Sequence, residues 1–190
     1  MKTVLFVPGG MEYYNTRNYA KVLSTIRKKG YRAVFVPINW KRTVLSGQVE
    51  QLNLIYEKYD PKNTILAGFS WGAMTALVAA SMRPPKELWL FSLSPHFKED
   101  VETMPKWVHK LFGKHRLKVF RETSFNVLAK KISSKTLVLM GEAEAKKYPQ
   151  LDKRDKDAIK RIKNSRLVIV PKAPHDVTHK NYLDEIAKNI

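Results

Sequence analysis

Along the 190-residue chain, short runs of β-branched, aliphatic and aromatic side chains alternate with longer amphipathic stretches. The runs Thr3 to Val7, Ala33 to Pro37, Thr64 to Ala67, Leu88 to Leu93, Thr136 to Met140 and Leu167 to Val170 are nearly continuous in Val, Ile, Leu and Phe. That is the pattern of strands buried on both faces. Between them the periodicity predicts helices at about Thr16 to Lys29, Gly47 to Tyr59, Gly72 to Met82, Asp152 to Lys163 and Thr178 to Lys188. Gly30 is placed to end the first helix and Asp60-Pro61 the second. Strands alternating with helices through right-handed crossovers predict an α/β protein, with a mainly parallel six-stranded sheet covered by helices on both faces.

The rhythm breaks once. About forty residues, Pro95 to Ser134, separate the fourth strand from the fifth, where a crossover helix needs roughly fifteen. An insertion is expected there, within a single domain spanning residues 1–190. It holds the amphipathic stretch Met104 to Phe112, in which Trp107, Val108, Leu111 and Phe112 would share one helix face, and Gly113 offers a stop.

Composition narrows the function classes. At 44% hydrophobic the chain has enough apolar mass for one domain core. The absence of cysteine excludes disulfides, a thiolate nucleophile and Cys-ligated metal. The apolar run Val4 to Val7 is too short for a leader, and nowhere do roughly eighteen apolar residues run together. A cytoplasmic protein without a transmembrane segment is the expectation. The formal charge of +18 is spread over both halves of the chain and attracts anions of every kind, so polyanion binding is a possible second property. The densest basic segment, Asp152 to Lys163, interleaves Asp with Lys and Arg as a solvated helix face with i,i+4 pairs would.

The chemistry concentrates at Gly68-Phe69-Ser70-Trp71-Gly72, a G-x-S-x-G sequence with a buried strand before it and a helix after it. A serine at a sharp strand-to-helix turn needs neighbours two before and two after that lack colliding side chains, and Gly68 and Gly72 meet that need. The helix then directs backbone N–H groups and a partial positive charge at the serine.

In these residues the sequence resembles the α/β-hydrolase superfamily, in a compact form lacking the N-terminal antiparallel strands. The resemblance implies a Ser-His-acid triad in the chain order nucleophile, acid, histidine. The strand Thr136 to Met140 opens into Gly141-Glu142-Ala143-Glu144, which places Glu144 at the acid position, with Glu142 the other carboxylate in reach. The last strand leads through Pro171-Lys172-Ala173-Pro174 to His175, at the position of the histidine; His179 is the nearest competitor, and His96, His109 and His115 precede the acid. The family's oxyanion hole falls on the N–H of Trp71 and on Gly10 in Pro8-Gly9-Gly10-Met11, where relatives often carry His-Gly in place of Pro8-Gly9.

The resemblance therefore implies a serine hydrolase of small-molecule carboxylic esters or thioesters that needs no metal or organic cofactor. Two other readings stay open. One is an acyltransferase; the other is a catalytically silent protein of this fold that holds an anionic partner. Trp107 and Leu111 are candidate substrate-binding residues, with the alternative that they pack the insertion onto the domain.

Overall fold

The computed structural model describes residues 1–10, 16–41 and 43–190. Its strands are β1 (Thr3–Val7), β2 (Arg32–Phe35), β3 (Thr64–Phe69), β4 (Glu87–Phe91), β5 (Lys135–Gly141) and β6 (Ser165–Val170). They form one parallel sheet in the order β2-β1-β3-β4-β5-β6. The helices are α1 (Ala20–Lys28), α2 (Leu45–Tyr56), α3 (Trp71–Met82), α4 (Lys106–Glu122), α5 (Phe125–Lys131), α6 (Glu142–Lys147), α7 (Pro149–Arg161) and α8 (Lys180–Asn189).

Alternation along the strands divides the core into two layers. Leu5, Leu66, Leu88, Leu90 and Val138 pack on one face with Leu52, Leu77, Phe125 and Ala158 from α2, α3, α5 and α7. Val4, Phe6, Ile65, Trp89 and Leu137 pack on the other with Val22, Ile26, Tyr182 and Ile186 from α1 and α8. Helix α3 is apolar on nearly every side because it is buried between the sheet and the helices around it.

The expected strands and helices are present, with shifted ends. Gly30 closes α1 in the left-handed region at φ +86°, its N–H donating to Arg27 O at 2.9 Å. Helix α2 stops at Tyr56 and not at Asp60-Pro61; Asp60 instead caps the short 3-10 turn Pro61–Asn63, accepting from Lys62 N at 3.0 Å. The insertion holds more helix than the sequence pattern suggested. Gly113 does break α4, at φ +73° and ψ +167°, but the chain resumes helix at once and runs to Glu122. Glu99 then anchors the start of α5, accepting from Phe125 N at 2.9 Å and Asn126 N at 3.2 Å. Trp107, Val108, Leu111 and Phe112 do not share one environment: Val108 and Phe112 are buried, whereas Trp107 and Leu111 are exposed. The stripe at 108 and 112 faces the aromatic cluster of Trp71, His96 and Phe120, and the neighbouring stripe one residue earlier faces outward.

The basic segment also departs from a solvated face. Lys156 and Asp152 form the expected i,i+4 pair at 2.8 Å, yet Arg154 and Asp155 are buried. Arg154 is ion-paired to Asp100 and lies 4.1 Å over the Phe125 ring, tying α7 to the insertion. Positions 151, 155, 158 and 162 follow helical spacing and put Asp155 on the inward stripe with Leu151, Ala158 and Ile162.

Strand order reverses between β1 and β3, so the crevice lies beyond the C-terminal ends of those strands. The register aligns Val7 with Gly68 and Phe69 with Phe91, which brings the segments after β1, β3 and β4 to one edge.

Candidate active site

Ser70 sits between β3 and α3 with φ +54° and ψ −118°, a backbone conformation in which a non-glycine residue is strained. Close backbone approach holds it there. A Cβ on Gly68 would lie 2.3 Å from Gly72 O, and one on Gly72 would lie 2.2 Å from Pro8 O. No L side chain fits at either place. The Ser70 N–H donates to Phe91 O at 2.8 Å, while its carbonyl accepts from Ala73 N at 3.1 Å and Met74 N at 3.3 Å as the helix begins.

The segments after β5 and β6 arrive at the same edge. His175 Nε2 lies 3.0 Å from Ser70 Oγ. Glu144 Oε2 lies 3.4 Å from His175 Nδ1, at ion-pair distance, with the Glu144 side chain fully buried and His175 29% exposed. The two loops are bonded together, since Ala143 N and Glu144 N both donate to Ala173 O, at 3.1 and 3.2 Å. Gly141 permits this, because a Cβ there would fall 2.4 Å from Ala173 O. Glu142 is turned elsewhere: it binds Lys146 Nζ at 2.8 Å and Lys172 N at 3.0 Å, contacts that hold its carboxyl below the usual range. Of the two carboxylates in this loop, the structure brings Glu144 to His175.

The other histidines are engaged away from this contact. His179 Nδ1 caps α8 by accepting from Asn181 N at 3.3 Å, and His109 Nε2 lies 3.0 Å from Val101 O. His96 borders the site but is stacked on Phe120, 5.5 Å between centroids; burial pushes its pKa down to about 4, so it is neutral near pH 7. His115 is exposed.

Gly10 and Trp71 meet as well. A Cβ on Gly10 would lie 2.3 Å from Trp71 Cε3, so the turn after β1 lies directly against the first residue of α3. Met11, the last residue of that turn, lies outside the described residues.

Four polar side chains that the sequence reading did not single out complete the network. Ser94 Oγ is 3.2 Å from Ser70 Oγ. If the Ser70 hydroxyl donates to His175 Nε2, then Ser94 supplies the proton between the two serines. Ser92, at φ +52°, donates to Glu144 Oε2 at 2.9 Å and lies 2.6 Å from Tyr182 Oη. Tyr182 Oη donates to Leu139 O at 2.9 Å, beside the Ser92 N–H that the same carbonyl accepts at 2.8 Å. Ser92 therefore links Tyr182 to the Glu144 carboxylate. Burial, reinforced by the Glu144 charge, raises the Tyr182 pKa well above its ordinary value and keeps the phenol protonated.

The fourth is Asp155, fully buried, whose Oδ1 accepts from Leu93 N at 3.1 Å while Oδ2 has no partner. Burial, then the charge of Glu144, raises its pKa well above 3.8. An acid whose folded-state pKa is raised contributes its full stability below the unfolded value and loses it as pH climbs toward the folded value. Asp155→Asn keeps an acceptor for Leu93 N and removes the titration. The stability of Asp155→Asn relative to wild type is therefore expected to grow as pH rises from about 4 to neutrality, by up to about 1.4 kcal/mol per pH unit. Denaturant melts across that range measure it, and a difference independent of pH would mean that Asp155 is not a buried neutral acid.

A cleft of about 470 Å³ opens at Ser70 and His175, between the insertion and the α6–α7 segment. Met104, Val108, Tyr148 and Leu151 give it apolar walls. Trp107 borders it, whereas Leu111 is not among the described residues that line it. Among the described residues no three His, Asp or Glu side chains converge on a metal-sized site.

This sheet order, with a strained serine after the third strand, is the α/β-hydrolase fold, and solved structures of that fold match nearly the whole chain. Est1E from Butyrivibrio proteoclasticus, solved with ferulic acid bound, matches over 99% of this chain and 86% of its own at a TM-score of 0.79 and 16% identity. MenH from S. aureus matches over 98% of this chain and 91% of its own, at a TM-score of 0.70 and 16% identity. A bromoperoxidase from Bacillus anthracis matches over 98% and 91%, at 0.73 and 14%. No protein-family model and no curated protein matches the sequence.

Proposed function

We propose that the chain is a serine hydrolase that cleaves a carboxylic ester or thioester through an acyl-enzyme. The observation that carries this reading is the 3.0 Å contact between His175 Nε2 and the hydroxyl of a serine held at a positive-φ elbow. His175 Nε2 takes the Ser70 proton as Oγ attacks the substrate carbonyl carbon. The carbonyl oxygen becomes an oxyanion, for which the N–H groups of Trp71 and Gly10 are the proposed donors. His175, now cationic and facing the buried Glu144 carboxylate, returns the proton to the departing alkoxide or thiolate. Water then gives a proton to Nε2, attacks the acyl carbon, and Ser70 leaves with the proton restored. The acyl group occupies the apolar cleft between Met104, Val108 and Leu151, with Trp107 at its rim; Leu111 has no part in that wall.

A fluorophosphonate probe tests this directly. Covalent labelling confined to Ser70, located by peptide mass mapping and absent from Ser70→Ala, is the expected result. Folded protein that stays unlabelled would remove the hydrolase and acyltransferase readings together and leave a binding protein of this fold.

A further inference from the structure

We propose that the rim of this cleft is a docking surface for an anionic lipid bilayer. Of the four tryptophans, Trp40, Trp71 and Trp89 are buried and Trp107 is 65% exposed, with Leu111 beside it at 47%. The two are one helical turn apart on the outer side of α4, and the exposed Lys106, Lys110 and Lys114 flank them. Across the cleft a second element repeats the combination. Tyr148 is 39% exposed, Lys147 Nζ lies 5.3 Å over its ring, and Lys153 is exposed on the same wall. Trp107, Tyr148, Lys147 and Lys153 all line the cleft that leads to Ser70, so the amphipathic residues surround its opening.

The charge on this face is not cancelled locally. The neighbouring acids are already paired: Asp100 with Arg154, Glu102 with Arg121 and Asp152 with Lys156. A second copy of the chain is a poor occupant, because a two-fold contact would set these lysines against each other. An anionic bilayer satisfies both features, since lysines gain at its surface and Trp and Tyr settle at headgroup level with Leu reaching the acyl boundary. A nucleic acid would use the lysines and could stack on Trp107, but Leu111 offers no ring for a base. Among the described residues no helix is long and apolar enough to cross a membrane.

The test uses the full chain carrying Ser70→Ala, so that binding is read without turnover and stands or falls apart from the hydrolase reading. Co-sedimentation is measured with phosphatidylcholine vesicles with and without phosphatidylserine, alongside tryptophan emission. Binding is expected only to the phosphatidylserine vesicles, weakening as salt rises, with a blue shift that Trp107→Phe abolishes. The double variants Trp107→Ala/Leu111→Ala and Lys106→Gln/Lys110→Gln should each weaken binding by roughly tenfold or more. Because these side chains are exposed, melting temperature should stay near the parent value, which separates lost docking from lost folding. Absence of binding, binding indifferent to both double variants, or a blue shift that survives Trp107→Phe would overturn the proposal. So would single-stranded DNA that binds through the same residues and displaces the protein from vesicles.

Discussion

Replacing Ser70 by alanine is expected to lower kcat for ester hydrolysis by about 10³-fold or more while leaving the fold intact. The exchange removes one oxygen, and the elbow geometry is imposed from outside the side chain, by Gly68 against Gly72 and by Gly72 against Pro8. Alanine must still hold φ near +54°, but that strain is already present in the serine protein. The Ser94 hydroxyl loses a partner and retains access to the cleft. His175→Ala should produce a loss of similar size, and the double variant little more, because nucleophile and base act as one unit. Steady-state kinetics on purified protein, with thermal melts in parallel, give the answer. Turnover surviving in pure Ser70→Ala would sink the serine mechanism whatever the fold.

The sequence made the sheet legible because its four central strands are buried on both faces and appear as nearly unbroken apolar runs with no alternation to interpret, and the partly exposed edge strands β2 and β6 still carry short aliphatic runs. The elbow was legible for a related reason: Gly68 and Gly72 are demanded by backbone contacts that leave no alternative residue. The insertion was harder. Its helices carry narrow apolar stripes, and α4 is broken at Gly113 yet continues, so the single stretch that stood out was its first two turns. Helical spacing alone could not decide whether the 107/111 or the 108/112 stripe faced inward. That choice was made by Trp71 and His96, which come from elsewhere in the chain, and by Phe120 beyond the Gly113 break of the same helix.

The polar network behind Glu144 was hidden for a different reason. Ser92 and Tyr182 are 90 residues apart and meet only because the ends of β4 and β5 bring Ser92 beneath α8. Neither residue type is unusual where it stands. Asp155 did leave a signal, since it falls in the helical series with Leu151, Ala158 and Ile162. The surrounding lysines and arginines masked that signal, as one acid among so many charges suggests solvent. Its burial beside Glu144 separates two carboxyl groups: Asp155, whose pKa burial pushes up, and Glu144, which is the one placed against His175.

That division underlies the prediction for the acid. Glu144→Gln is expected to reduce kcat by about 10² to 10⁴-fold, whereas Glu142→Gln should change it only a few-fold. The amide is nearly isosteric and can still meet Ser92 Oγ, so the fold should survive. What it loses is the charge opposite the imidazolium and an acceptor that selects the Nδ1–H tautomer, which leaves Nε2 free to take the Ser70 proton. Glu142 binds Lys146 and the backbone of Lys172, so its neutralisation removes surface contacts only. Tyr182→Phe, which removes the hydroxyl beside Ser92 Oγ without touching the carboxylate, should fall between the two with KM nearly unchanged. If Glu142→Gln gave the larger loss, Glu142 would be the acid and the loop after β5 would have to rearrange during catalysis.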